Sequence, residues 1–391
     1  MKIVGLEIVP LSFAFQKTYT TSYGLHHWIP DILLKLYTDE GVTGLGEGLP
    51  GAWGPLYTGE SPGTMIDILT KYVFPKALDG ENPFNVDIIH QKMDNAVYGH
   101  YVAKSAVDYA IHDIMGKSLG IPVWQLLGGC YTQRIPVWGD VALGEPEKMA
   151  DEAREVVEAG YTSAIKTKTG PDLDASVKGV EAIRKAIGPD IPIDVDINCG
   201  YLPKQAIEFA KRVEELAPVW IEQPTDRDDI AGMALVKNNT SLPVGACESA
   251  VTLPQILRVI KMEAADFVNY KIDRSGGFFR GRQAVHMIHT AGLFAVGSEN
   301  LGLGISVAAK AHFAASNSLV QHHSYGHGLR KVAGRLDTRN MEGDILLNTP
   351  LVADGFLEVP MGPGLGVELD EKAVVEYARG ESPVLVGRKT D

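Results

Sequence analysis

Apolar and polar positions alternate with period two over residues 2–10, run almost continuously apolar over 32–37, and resume over 42–47 after the turn Asp39-Glu40-Gly41. This pattern predicts that the chain opens on β-strands joined by turns. Two loops interrupt them: a polar, aromatic stretch at 19–28 holding Tyr19, Tyr23, His26, His27 and Trp28, and a Gly/Pro-rich stretch at 48–60 holding Trp53. From about 64 to 119 the apolar positions recur at helical spacing, most regularly over 103–117, and Gly128-Gly129 closes the region.

From residue 135 onward short apolar runs alternate with amphipathic stretches. The runs at 135–143, 163–167, 193–196, 219–222, 243–246, 267–271 and 293–297, with a weaker one at 319–322, predict strands. The stretches at 147–158, 175–187, 203–216 and 254–261 predict helices between them. Strands alternating with helices build a parallel sheet. About eight such units in roughly 200 residues favour a closed barrel over an open doubly wound sheet. No glycine-rich dinucleotide fingerprint follows the first strand, which argues against the Rossmann alternative. The turn-rich tail, 355–369, does not look like barrel and is expected to return to the N-terminal strands.

The length of 391 residues suggests two domains, and 45% hydrophobic content is enough for a large core. A formal net charge of −13 repels nucleic acid and anionic membranes, and no basic run offsets it. No apolar run is long enough to span a bilayer, and the N-terminus lacks a signal-peptide layout. Three widely spaced cysteines, Cys130, Cys199 and Cys247, do not make a disulfide framework, so a reduced cytoplasmic setting is expected. The expected partners are a small carboxylate substrate and further copies of the chain in a homo-oligomer, with no nucleic acid and no membrane.

Reactive groups of a parallel barrel sit at the C-terminal ends of its strands. Here those ends read Lys166-Thr167-Lys168, Asp196-Ile197-Asn198, Glu222-Gln223-Pro224, Cys247-Glu248-Ser249, Lys271-Ile272-Asp273 and Ser298-Glu299-Asn300. One charged strand end is usually a solvated cap. Six in register converge on one mouth, where unpaired charge is costly. Clustered carboxylates call for a cation, and oxygen ligands without histidine suggest Mg²⁺, with Mn²⁺ as the other hard choice. Such an ion would bind a substrate carboxylate and stabilise the dianion left when the α-proton departs. A lysine base needs a lowered pKa, and Lys166 beside Lys168 would push it down. Lys271, across the barrel, would serve the opposite face.

These residues resemble the enolase superfamily, in its muconate lactonizing enzyme (muconate cycloisomerase) subgroup. The similarity covers nearly the whole chain. It includes Ala106-Val107-Asp108-Tyr109-Ala110 through Asp113, Leu126-Leu127-Gly128-Gly129, the Lys-x-Lys, Asp-x-Asn and Glu-Gln-Pro strand ends, Lys271 with Gly276-Gly277, and Pro360 with Pro363-Gly364-Leu365-Gly366. The resemblance implies an α/β fold: a (β/α)7β TIM-like barrel with an α+β capping domain formed by the N-terminal region and the C-terminal tail. The expected division is a cap over 1–130, a barrel over 131–355 and a returning segment over 356–391. By position Asp196 and Glu222 match metal ligands, Lys168 and Lys271 the acid/base pair, and Lys166 the auxiliary lysine.

Two departures stand out. The subgroup usually carries Asp-Glu-Ser at strand five, with the Asp on the metal, where this chain has Cys247-Glu248-Ser249. Alignment points to Cys247 as third ligand and ligand chemistry to Glu248, since a thiol suits Mg²⁺ poorly. At strand eight the Asp-x-Asp of dipeptide epimerases is missing, so a peptide amine is a less expected substrate. The His- and Arg-bearing segment 322–340 is instead a candidate contact for a polar or anionic substrate. Asn198 and Glu299 are expected beside the metal or the substrate, and Tyr23, His26 and Trp53 are candidate substrate contacts from the cap loops. The leading expectation is a racemase, epimerase or cycloisomerase acting through an enolate. A dehydratase of hydroxy acids or acid sugars shares that intermediate, and a barrel that has lost turnover and only binds is the remaining alternative.

Overall fold

The computed structural model describes all residues except 22–23, 52–53, 325–329, 333–334, 338–342, 351 and 390–391. The N-terminal strands Ile3–Thr21, Gly24–Thr38 and Thr43–Gly48 form an antiparallel sheet. Its outer edge is Val384–Gly387, which returns from the C-terminus to pair with Ile3–Thr21. On one face, Leu6, Ile8, Leu34 and Leu36 pack against Leu69, Val73, Ile89 and Met93, and against Ala106, Val107 and Ala110 of the helix Tyr101–Leu119. Each such buried aliphatic side chain contributes about 1.5–3 kcal/mol. The helix lies so close to the sheet that a Cβ on Gly46 would stand 2.0 Å from the Ala106 carbonyl oxygen, which is why the strand Thr43–Gly48 is glycine-rich.

The second unit is an eight-stranded parallel sheet in sequential order. Its strands, numbered here one to eight, are Gly139–Asp140, Ile165–Lys168, Ile193–Asp196, Val219–Glu222, Val244–Ala246, Phe267–Tyr270, Phe294–Ser298 and Val320–Ser324. The Trp138 amide donates to the His323 carbonyl (2.8 Å), joining the chain just before strand one to strand eight across the seam. The expected first strand over 135–143 is two short ones. Arg134–Pro136 pairs with Phe356–Glu358 in a separate sheet, and only Gly139–Asp140 joins the barrel. Pro136 explains the break, because it has no amide to give to a ladder.

Within the barrel, His322 packs its ring against Trp220 (centroids 5.0 Å), Phe294 (5.6 Å) and Trp138 (6.0 Å). Burial among these rings lowers its pKa. This histidine is therefore part of the aromatic filling of the barrel, not the polar substrate contact expected of it. Much of 325–342 lies outside the described residues. All three cysteines are free, and no helix among the described residues is long and apolar enough to cross a membrane.

Candidate active site

Strands two, three and four are each four residues long, so the last residue of each emerges at the barrel mouth. The ladder sets Lys168 beside Asp196 and Asp196 beside Glu222. Lys271 follows strand six immediately, four strands round from strand two, and therefore stands on the opposite wall. The turns that follow are tightly held. Asn198 and Gln223 adopt positive φ, 47° and 40°, a conformation that costs of order 1–3 kcal/mol and persists where the surroundings enforce it. The Gln223 side chain accepts from the Cys247 and Ser249 amides (2.9 and 3.1 Å) and donates to the Ser249 hydroxyl (2.8 Å), locking the end of strand four to the turn after strand five.

The charged groups at the mouth form one ionic cluster. Lys168 Nζ pairs with Asp196 Oδ2 (2.5 Å). Lys166 Nζ reaches Glu222 Oε2 (2.5 Å), Asp194 Oδ2 (2.9 Å) and Asp196 Oδ2 (3.3 Å). Burial alone would neutralise Lys166, but Asp194, Glu222 and Asp196 outweigh it and hold its pKa well above the ordinary lysine range. Burial likewise opposes ionisation of Glu222, yet Lys166 and Lys168 keep its carboxyl below the usual carboxylate range. Burial and the neighbouring Glu222 raise the Asp194 carboxyl, with Lys166 pulling the other way. Asn269, inside strand six, donates to Glu222 Oε2 (2.5 Å).

The opposite wall is less polar. Burial lowers the Lys271 pKa, with the Arg274 charge acting in the same direction. Lys271 Nζ donates to the Tyr57 hydroxyl (3.0 Å), and the Arg274 guanidinium lies 4.8 Å from the Tyr57 ring centre. Tyr57 belongs to a short cap helix, Pro55–Thr58, whose Tyr57 and Leu56 carbonyls each accept from Arg227 (both 3.0 Å), in the loop after strand four. A cavity of about 620 Å³ opens beside this junction, lined by Tyr57, Glu60, His100, Arg227, Glu248 and Arg274 among others.

At strand five the two neighbours diverge. Cys247 is fully buried, and its sulfur accepts from Arg274 Nη2 (3.3 Å). Burial, with the Glu248 charge nearby, pushes the thiol pKa up, so it stays neutral. Glu248 lines the cavity, and its Oε1 accepts from Asn198 Nδ2 (3.0 Å). Asn198 is thus a hydrogen-bond partner of Glu248, and its own amide donates to Asp196 Oδ1 (2.9 Å).

Asp196, Glu222 and Glu248 make an all-oxygen donor set of the kind hard divalent cations take. Glu222 Oε1 is buried and receives no hydrogen bond from a donor among the described residues, while the Glu222 carboxyl shares a hydrogen bond with Asp194; a buried carboxylate oxygen of this kind suits a cation. On this observation the residues fit a metal. Among the described residues no three carboxylate, histidine or cysteine side chains already converge as a finished metal cluster. The two lysines sit on the Asp196 and Glu222 oxygens.

The sequence matches the mandelate racemase / muconate lactonizing enzyme N-terminal domain family over residues 7–128, and the enolase C-terminal domain-like family over 148–373. The chain belongs to the enolase superfamily, in its muconate lactonizing enzyme-like group. Three relatives show the range. The N-succinyl-L-Arg/Lys racemase of Bacillus cereus is 33% identical over 96% of this chain and 98% of its own, and its crystal structure superposes with a TM-score of 0.90 over 99% of this chain and 100% of that one. Muconate cycloisomerase 1 of Rhodococcus opacus is 32% identical over 90% of this chain and 91% of its own. The hydrophobic dipeptide epimerase of Enterococcus faecalis is 30% identical over 94% of this chain and 99% of its own. A crystal structure of a dipeptide epimerase from that organism, complexed with Mg and L-Leu-L-Tyr, covers 94% of this chain and 100% of that one at 27% identity and a TM-score of 0.85.

Asp108 and Asp113, on one cap helix, act away from the mouth and tie the cap to the barrel and the tail. Asp108, on the cap helix Tyr101–Leu119, accepts from the Phe278 amide (2.6 Å), and a Cβ on Gly277 (φ 77°) would stand 2.2 Å from its Oδ2. Asp113 accepts from the Leu45 and Leu365 amides (2.9 and 2.8 Å), binding cap sheet and tail to one helix. Glu299 pairs with Lys310 (3.2 Å), which also holds Asp273 (2.9 Å). Tyr23 and Trp53 lie outside the described residues, and of His26 only the backbone, paired with Tyr19, is described.

Sequence reasoning missed Tyr57, Arg227, Arg274, Asp194 and Asn269. Asp194 and Asn269 carried a signal: each lies two residues before a singled-out strand end, so it shares that residue's inward face.

Proposed function

We propose that this chain is a Mg²⁺-dependent racemase or epimerase that exchanges the proton α to a carboxylate between Lys168 and Lys271. The observation carrying this reading is the placement of two buried or largely buried lysines on opposite walls of one barrel, with Asp196, Glu222 and Glu248 at the same mouth. Asp196, Glu222 and Glu248 would hold the magnesium ion, whose charge lowers the energy of the enolate. Glu248 takes the third position because its carboxylate faces the cavity, while the Cys247 thiol is neutral and turned to Arg274.

In the neutral amine form one lysine takes the α-proton and becomes an ammonium. The opposite lysine, as an ammonium, gives a proton to the other face, which inverts the centre. Burial lowers the Lys271 pKa, which favours the amine form that a base needs. Lys166 stays charged throughout, as an electrostatic neighbour of Lys168 and not a base.

An N-succinylated basic amino acid is the first substrate to test. The Bacillus cereus relative carries that name, and strand eight, Val320–Ser324, offers no carboxylate for a free ammonium. The test is incubation of N-succinyl-L-arginine, L-Leu-L-Tyr, muconate and a set of hydroxy acids with enzyme and Mg²⁺ in D₂O, followed by NMR. Deuterium at the α-carbon with loss of optical activity supports the reading. Water loss to a keto acid from a hydroxy acid, without such exchange, would replace it with a dehydratase.

A further inference from the structure

Lys166 touches three carboxylates, and they are not equivalent. Glu222 and Asp196 are two of those assigned above to magnesium. Asp194 lies one inward-facing position deeper on strand three, fully buried, and its partner in the ladder is Lys166 itself. A lysine ammonium and a divalent cation compete for the same carboxylate oxygens. With only Glu222 and Asp196 as partners, Lys166 would be left as an unpaired buried cation whenever those oxygens turned to metal, at a cost of several kcal/mol. Asp194 Oδ2, 2.9 Å from Nζ, provides a partner one inward position below the two carboxylates assigned to the metal.

Glu222 shows the same division. Its Oε2 is held by Lys166 and Asn269, while its buried Oε1 receives no hydrogen bond from a donor among the described residues. One oxygen anchors the side chain and the other is left for a cation.

We propose that Asp194 is a positioning residue that keeps Lys166 as its own hydrogen-bond partner when Asp196 and Glu222 turn to magnesium, and so sets the metal affinity of the site. This rests on the reading that those carboxylates hold magnesium. Asp194 also shares a hydrogen bond with Glu222; its effect on the metal runs through Lys166, which the double variant tests.

Titration calorimetry with MgCl₂ on the full chain tests it, using wild type, Asp194→Asn, Lys166→Met and the double variant. Asp194→Asn weakens binding about tenfold, because Lys166 then holds Glu222 and Asp196 more tightly. Lys166→Met removes the competitor and tightens binding. The double variant binds like Lys166→Met, since no lysine remains to be restrained. Opposite signs in the single variants, with suppression in the double, are not produced by a general loosening of the fold.

An Asp194→Asn affinity within about twofold of wild type, or the same loss in the double as in the single, overturns the proposal. If Asp194→Asn does not fold, Lys166→Met against the double decides: equal affinities uphold the proposal and a further tenfold loss overturns it. Wild-type protein that binds no Mg²⁺ overturns the metal reading and this proposal together. Wild-type binding with an unaffected Asp194→Asn overturns the proposal alone.

Discussion

The Tyr57 hydroxyl, carried on a cap helix, accepts a hydrogen bond from Lys271 Nζ at 3.0 Å, and the two residues are 214 positions apart in the chain. The position of one proposed base is therefore fixed by the cap, not by the barrel that bears it. Arg227 holds the backbone of that helix and Arg274 covers the Tyr57 ring, so the contact is made from three sides. Tyr57→Phe keeps the ring and loses the hydroxyl. A hydrogen bond to a charged group contributes about 1.5–3 kcal/mol, so turnover should fall roughly 10- to 100-fold. Racemisation should slow in both directions, because each direction uses both lysines; exchange of the α-proton without inversion separates them. In D₂O, such exchange of the enantiomer served by Lys271 slows while that of its mirror image continues, and equal slowing of both exchanges would contradict the geometry.

Strand five separates Glu248 from Cys247 by experiment. Glu248→Gln should weaken Mg²⁺ binding by about two orders of magnitude, as expected for a lost charged ligand. Cys247→Ser should leave it nearly unchanged, because the sulfur faces Arg274. Calorimetry with MgCl₂ reads both. A large loss in Cys247→Ser with none in Glu248→Gln would reassign the third ligand.

The seam between cap and barrel should respond to pH. Glu47 accepts from the Leu303 and Ser306 amides (both 2.8 Å) at the start of the helix Gly304–Ala315, and burial raises its pKa from 4.5 to about 7. A raised folded-state pKa means that the folded protein holds the proton more tightly than the unfolded chain. Its stabilising contribution is complete below pH 4.5 and is lost as pH rises through about 7. The loss is of order 3 kcal/mol, and buried Asp31, also raised, acts in the same direction. Glu47→Gln should flatten the fall in urea-unfolding stability between these pH values. An unchanged slope would show that Glu47 does not hold that proton.

Asp108 gives a test of the cap–barrel tie without touching the mouth. It accepts from the Phe278 amide and pairs with the buried His90 (2.7 Å). Asp108→Ala leaves both groups buried and unsatisfied, which should cost about 3–5 kcal/mol in thermal or urea unfolding. A loss under about 1 kcal/mol would mean that water replaces the carboxylate.

Sequence alone determined the parallel barrel, because its strands are apolar runs at one β/α spacing, and each closes on a chemically distinctive residue. Lys168, Asp196, Glu222, Glu248 and Lys271 were found there for that reason: strand ends are local features, read directly from periodicity. The early break at Pro136 was missed because the apolar pattern continues through a residue that cannot join the ladder. The orientation of Cys247 against Glu248 was not readable, since adjacent residues after a three-residue strand point where the turn sends them, and that turn is set by Gln223 from strand four. Tyr57 on Lys271 and Asp194 under Lys166 belong to the tertiary structure for the same physical cause. A buried charge is governed by whatever partner folding brings within hydrogen-bond reach, and spacing along the chain carries no record of that partner.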